Sequence, residues 1–333
     1  MANVLVTGGA GYVGSVCCRQ LLERGHKVIV VDNLSTGHAA AVPDGATLHQ
    51  LDYGDRKAIS ELLRGNPIDT VFHFAAKALI PESVSNPGLF FDVNVASAIA
   101  FLETLREFGI RRFVFSSSAA VYGNPQSVPI DEDALKNPVN SYGETKLMFE
   151  RVLEWYARAY AWNVTAFRYF NASGAMGESG EDHQPETHIL PLLFQAATGE
   201  RPYFSIYGGD YQTPDGTCIR DYVHVADIAA AHLLALEGKG KGFAAYNIGL
   251  GKGYSVREVI RVVEQVTATK IPARVEERRP GDPAILCASP AKLMRELNWQ
   301  PRSSDLTNVI QSAWEWKSRH PHGYRRAGES RAA

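Results

Sequence analysis

The run Val4-Leu5-Val6-Thr7 followed by Gly8-Gly9-Ala10-Gly11-Tyr12-Val13-Gly14 constrains this chain more than any other stretch. An apolar segment stops on three glycines spaced three apart, Gly8, Gly11 and Gly14, and a helical pattern continues through Leu21 and Leu22. Such a turn passes tightly from strand to helix, lets backbone approach a pyrophosphate, and aims a helix N-terminus at the anion. A second apolar run, Lys27 to Val31, ends at Asp32, eighteen residues past Gly14. An acid at that place accepts hydrogen bonds from the adenosine ribose hydroxyls and repels a 2′-phosphate, which favours NAD over NADP.

The alternation continues. Thr47 to Leu51 reads as a strand ending at Asp52-Tyr53, a pair placed to flank an adenine. A helix over 55–64 precedes Thr70-Val71-Phe72-His73-Phe74-Ala75-Ala76, an apolar strand of the kind buried on both faces. Helix 92–108, strand 113–118, helix 141–160 and strand 164–169 follow. Strands alternating with helices predict an α/β fold with a doubly wound parallel sheet, ligands binding at the carboxyl ends of the strands. Gly8 to Gly14, Asp32, Asp52, Ala75, Ser118 and Tyr169-Phe170-Asn171 all fall at such ends. From residue 172 the pattern breaks into a Gly-, Ser- and acid-rich loop and then shorter elements. The expected organisation is a Rossmann-type dinucleotide domain over 1–171, with segments near 222–248 returning to it. A smaller mixed α/β substrate domain occupies most of 172–324, and 325–333 form a disordered tail.

Tyr142 and Lys146 stand four apart, one turn from each other on one helix face. An ammonium beside a phenol lowers the phenol pKa from ~10, making a base able to take a proton from a sugar hydroxyl. A serine of Ser116-Ser117-Ser118 lies at a strand end where its hydroxyl can hold or relay that proton.

Composition excludes several classes. A 45% hydrophobic, 21% charged chain of 333 residues is globular, and a net charge of -2 gives no reason to expect nucleic acid or an anionic membrane. Cys17, Cys18, Cys218 and Cys287 show neither a disulfide framework nor a zinc spacing, so a reducing compartment and no metal are expected. Met1-Ala2-Asn3 runs straight into a strand without a leader pattern, and no apolar run approaches ~18 residues. The expectation is a cytoplasmic protein with no membrane segment.

The motifs Thr7-Gly-Gly-Ala-Gly-Tyr-Val-Gly14, Ser116-Ser-Ser-Ala-Ala-Val-Tyr-Gly123, Tyr142-Gly-Glu-Thr-Lys146, Arg168-Tyr-Phe-Asn171, Arg220-Asp-Tyr-Val-His-Val225 and Arg279-Pro-Gly-Asp282 occur in the order found in one family. From residue 3 to about 324 the chain resembles the extended short-chain dehydrogenase/reductases, and within them the epimerases of UDP-glucose and UDP-galactose. The resemblance implies reversible inversion at C4 of a UDP-hexose through a 4-keto intermediate, with tightly bound NAD. It implies Tyr142 as general base and acid, Lys146 on the nicotinamide ribose, and Ser118 on the sugar hydroxyl. Gly8, Gly11, Tyr12, Val13 and Gly14 would line the pyrophosphate. Asp32, Asn33, Ser35, Thr36 and Gly37 would surround the adenosine ribose, with Asp52 and Tyr53 at the adenine. Phe74, Ala75, Ala76, Asn94 and Phe170 would flank the rest of the cofactor. Asn171, Arg220, Arg279 and Asp282 would hold UDP, since guanidinium forks suit diphosphate oxygens and a carboxylate suits ribose hydroxyls. The family also implies a homodimer through helices 92–108 and 141–160, with Phe101, Leu102, Leu105, Phe149, Leu153 and Tyr156 facing either the partner or the sheet.

A nucleotide-sugar 4,6-dehydratase needs an acid/base carboxyl pair after the catalytic hydroxyl, where this chain has Ala119 and Ala120. Epimerases of UDP-N-acetylhexosamines, UDP-pentoses or UDP-glucuronate, and a non-catalytic NAD sensor or scaffold, are the alternatives. Three positions depart from the resemblance. Lys77 precedes Ala78, where the closest epimerases often carry a lysine at the second position. His188-Ile189 replaces Asn-Leu beside the uridine. Leu286 occupies the sugar-gating position, neither a tyrosine nor a small residue.

Overall fold

The computed structural model describes residues 1–238, 240, 242–279 and 281–324. The expected tail at 325–333 lies outside them. Its first half alternates β1 (Asn3–Thr7), α1 (Tyr12–Glu23), β2 (Lys27–Asp32), β3 (Thr47–Gln50), α2 (Arg56–Gly65) and β4 (Thr70–His73). It continues with α3 (Ile80–Ser85), α4 (Pro87–Phe91), α5 (Ala98–Glu107), β5 (Arg112–Ser118), α6 (Ser141–Tyr160) and β6 (Asn163–Tyr169). The second half holds β7 (Asn171–Ser173), α7 (Ile189–Ala197), β8 (Phe204–Tyr207), β9 (Ile219–Arg220), β10 (Tyr222–His224), α8 (Val225–Glu237) and β11 (Gly242–Ile248). It closes with β12 (Tyr254–Ser255), α9 (Val256–Thr267), β13 (Ala273–Glu276), β14 (Ile285–Leu286), α10 (Ala291–Leu297) and α11 (Leu306–Arg319).

Seven strands form one parallel sheet in the order β11-β6-β5-β4-β1-β2-β3. The expected doubly wound fold is present, and its winding reverses between β1 and β4, which opens the crevice where such sheets take ligands. One face is covered by α1 and α8, through Val16, Leu21, Ile228 and Leu233 against Val4, Val6 and Phe72. The other is covered by α2, α5 and α6, through Ile59, Phe101, Leu105, Phe149 and Leu153 against Leu5, Val71 and Phe113. Both layers bury β-branched and aromatic strand residues, as a sheet covered on both faces requires. Elements of the second half build a further core, with α7, α9 and α11 closing over Phe204, Ile206 and Tyr222. The remaining strands make small sheets, β10 with β7, β12-β9-β14, and β13 with β8.

The structure resolves the choice posed for the 92–108 and 141–160 helices. Phe101, Leu102, Leu105, Phe149 and Leu153 are fully buried in this chain, so they serve the sheet. The apolar side chains left outside are Trp155, 67% exposed, Tyr160 and Phe108. The helical run Pro87–Glu107 also amends the hydropathy reading, because by length and composition it could cross a membrane. Its Phe90, Ala98, Phe101, Leu102 and Leu105 are spent on the interior, as in the core helix of a globular unit. Between α4 and α5 the turns widen to a π-helix over Asp92–Ser97, where an inserted residue turns Asn94 inward.

Candidate active site

The glycine turn delivers what its sequence implies. Gly11 begins α1 with no side-chain cap and the first turn carries no acid, so the N-terminal N–H groups stay available to an anion. A Cβ on Gly14 would lie 2.2 Å from the Gly8 carbonyl oxygen, so only hydrogen fits where α1 passes the turn. Asp32, buried at the end of β2, accepts from Ala10 N at 3.0 Å and Leu34 N at 2.9 Å. Those two bonds fix the carboxylate and leave lone pairs on both oxygens for a diol. Burial raises its pKa and these N–H groups oppose the rise. Asn33 bridges the next strand end, donating to Asp52 Oδ2 at 3.1 Å while its own oxygen accepts from Ser35 N. Gly37 sits against Ala10, closing the loop over the turn.

Tyr53 is placed differently from the expectation. Its ring is buried edge-on to His73 and Phe101, and its hydroxyl donates to the Val93 carbonyl. A phenol with an internal acceptor gains more from the core than from solvent. Asn94 works through its side-chain amide. It accepts from Lys77 N at 2.8 Å, donates to Lys77 O at 2.9 Å, and donates to Thr145 Oγ1 on α6 at 3.1 Å. The segment after Phe74, Ala75 and Ala76 is thereby pinned to the helix that carries Tyr142.

That helix starts under two constraints. Asn140 caps it, its side-chain oxygen accepting from Gly143 N at 2.8 Å, and Ser141 donates to the Ser83 carbonyl. Gly143 then lies so near the turn after Ser118 that a Cβ there would be 2.5 Å from the Ala120 carbonyl oxygen. The close approach is what brings Tyr142 to Ser118. The Ser118 hydroxyl accepts from Ala120 N at 3.1 Å, and the same side chain acts on the Tyr142 phenol to oppose the rise that burial causes.

Lys146 corrects the electrostatic expectation. Its ammonium is buried, donates to the Ser116 carbonyl at 2.8 Å, and lies 5.8 Å from the centre of the Tyr142 ring. Burial pushes the Tyr142 phenol above its ordinary value, and Ser118 opposes that rise. Burial also brings Lys146 down to about 7, against the pull of Glu150. Neither group has the pKa direction the sequence implied, because burial is the largest cause acting on each.

Behind Lys146 lies a polar network that the motifs did not reveal. Arg168 on β6 makes a two-pronged pair with Glu150 on α6, at 3.0 and 2.7 Å, both side chains under 5% exposed. Ser117 donates to Glu150 at 2.5 Å, Arg168 donates to Tyr122 Oη at 2.8 Å, and Tyr122 donates to Asn247 at 2.7 Å. Glu132 accepts from Asn247 N at 2.8 Å. No periodicity could signal this, since its members come from five separate segments.

Across the cleft, Arg220 donates to Asp282 from the β9 side, so these two expected diphosphate and ribose ligands pair with each other. The Arg279 guanidinium stacks 4.0 Å from the centre of the Tyr207 ring. Tyr207 at the end of β8, 37% exposed, was missed; an aromatic closing a strand beside an Arg-Pro-Gly-Asp motif was its only signal. Asn171 opens β7, its N–H bound to the Asp221 carbonyl. Phe170, Ala119 and Tyr122 form one small cluster on which Leu286 of β14 packs.

A doubly wound sheet whose carboxyl edge gathers a glycine turn, a ribose-type acid and a Ser-Tyr-Lys set defines a dinucleotide-dependent α/β enzyme. The chain belongs to the NAD dependent epimerase/dehydratase family, whose model matches residues 4–249. A UDP-glucose 4-epimerase of Streptococcus mutans is 47% identical over 327 residues, covering 96% of this chain and 98% of the relative. A crystal structure of a UDP-glucose 4-epimerase superposes with a TM-score of 0.94 at 43% identity, covering 97% of this chain and all of that one. A UDP-glucose 4-epimerase from Bifidobacterium longum, in complex with NAD+ and UDP, gives 0.91 at 34% identity, covering 96% and 99%.

Proposed function

We propose that this protein interconverts UDP-glucose and UDP-galactose by inverting C4 of the hexose, with NAD retained through each turnover. The observation that carries it is the close approach of Gly143 to the Ala120 carbonyl, which brings the turn of α6 that bears Tyr142 against the turn after Ser118 at the carboxyl edge of the sheet. Full-length relatives at 42 to 47% identity that carry the same activity support it. The cradle fits the cofactor: an uncapped α1 N-terminus for the pyrophosphate, no room for a Cβ at Gly14, and Asp32 for the ribose. When bound, NAD+ supplies the two-electron acceptor and donor that oxidation and reduction at C4 require.

Tyr142 accepts the C4 hydroxyl proton, and Ser118 holds the same oxygen. Lys146, fixed on the Ser116 carbonyl, orients the ribose of the cofactor. Arg220, Arg279, Asp282, Asn171 and the Tyr207 ring grip UDP, so the hexose, met mainly by Ala119, Phe170 and Leu286, can turn over as the 4-ketone. Once the ketone has presented its other face for reduction at C4, Tyr142 returns the proton to the C4 oxygen. Asymmetry between a charged grip on UDP and an apolar one on the sugar is what permits inversion rather than release. The finer organisation follows the family: a cytoplasmic homodimer, with exposed Trp155 on α6 as part of the contact.

Purified protein incubated with UDP-galactose, without added NAD, is expected to form UDP-glucose to an equilibrium mixture. Absence of conversion in protein carrying one equivalent of NAD overturns the reading.

A further inference from the structure

The loop between β7 and α7 carries a cluster of which the resemblance places only His188, beside the uridine. Glu181, His183 and His188 each offer one donor atom, and these atoms lie within 4.8 Å of one another. His188 Nδ1 is 2.9 Å and His183 Nδ1 3.5 Å from Glu181 Oε1. The two imidazole rings are 4.9 Å apart, and Glu186 stands 2.8 Å from His188 Nδ1 as a second carboxylate. His183 Nδ1 is buried and has no hydrogen-bond partner, which leaves a costly orphan aimed at the same carboxylate.

From this geometry we propose that Glu181, His183 and His188 form a site for one divalent transition-metal ion of the zinc class, which ties the two arms of the loop together. Metal–nitrogen bonds of about 2.0–2.1 Å in a tetrahedron place donor atoms about 3.4 Å apart; the two separations to Glu181 are 2.9 and 3.5 Å, and all three donors lie within 4.8 Å, so an ion would draw them to a common spacing. Two imidazoles and one carboxylate are borderline ligands that suit zinc over calcium or magnesium. His183 and His188 are separated by four residues, within the H-x₃₋₅-H range. The metal's part is mechanical. Glu181 and His183 lie in the first arm, and His188 is the residue from which α7 starts, so an ion between them fixes the path from Asn171 to α7.

The test uses tag-free, full-length protein with its NAD, stripped by dialysis against a chelator. Titration with Zn²⁺ by calorimetry is expected to show one equivalent bound, and Co²⁺ is expected to give visible bands of a low-coordinate N/O site. In His183→Gln, with unchanged NAD content and circular dichroism, affinity should fall about tenfold or more, since even indirect partners of a metal are worth that much. X-ray absorption of the wild-type zinc form should report two imidazoles and a carboxylate, which keeps the test sound should the variant misfold. Uptake below a fifth of an equivalent, affinity unchanged in His183→Gln, or an absorption spectrum lacking two imidazoles overturns the site.

Discussion

The Lys146 ammonium donates to the carbonyl oxygen of Ser116 at 2.8 Å. That bond ties the helix bearing Tyr142 to the strand bearing Ser118, and it buries a cation with a pKa brought down to about 7. In the unfolded chain a lysine titrates near ~10.4. Between these values the unfolded state binds more protons, so the penalty for burying Lys146 is full below pH 7 and fades as pH rises toward 10. For NAD-free protein, the stability difference between wild type and Lys146→Met should therefore shift in favour of wild type from pH 7 to pH 9. Urea midpoints at the two pH values check this, and a difference independent of pH would contradict the assigned burial.

Breaking the Glu150–Arg168 pair should destabilise the whole domain. Both groups are buried, and removing one partner strands a charge, at a typical cost of about 3–5 kcal/mol. Arg168→Met should lower the unfolding free energy from urea titration by about that amount, and the double variant Glu150→Met/Arg168→Met should recover part of the loss. A surface-like effect, under about 1 kcal/mol, would mean that the pair is solvated.

Gly143→Ala should separate Tyr142 from Ser118 while sparing UDP. The added methyl would meet the Ala120 carbonyl at 2.5 Å, so α6 must move away from the serine turn. Turnover should fall by about 10²-fold, on the scale that misplacing a catalytic group by ~1 Å produces. UDP affinity, measured by calorimetry, should stay within about twofold, because the UDP grip lies across the cleft; equal losses in both would contradict a positioning role.

Arg279→Ala should act on binding. Its guanidinium and the Tyr207 ring form one stacked surface at 4.0 Å. Losing a charge-assisted contact of about 1.5–3 kcal/mol should weaken UDP about 10- to 100-fold. Fluorescence or calorimetric titration with UDP reads this directly, and unchanged affinity would remove Arg279 from the site.

The fold was open to reading from the sequence because its signals are local. Val4 to Thr7 with its glycines, the apolar run at 70–73, and the periodic 141–160 helix each state their own conformation. Strands of two or three residues, such as Ile219–Arg220, Tyr222–His224 and Ile285–Leu286, were not legible, since their pairing is decided by partners far along the chain. The same limit applied at the site. Asn94 turns inward through a π-helical turn that no residue type announces, and Tyr53 has its direction set by the Val93 carbonyl. The Tyr-x-x-x-Lys spacing fixed which face the pair shares but not which acceptor Lys146 would find, and desolvation then reversed the expected pKa of Tyr142.

The central claim is that Tyr142 moves the C4 proton. Tyr142→Phe, with NAD content and UDP affinity matching wild type, should convert UDP-galactose to UDP-glucose at least about 10²-fold more slowly, the usual worth of a general base. Wild-type rates from that variant would contradict the account.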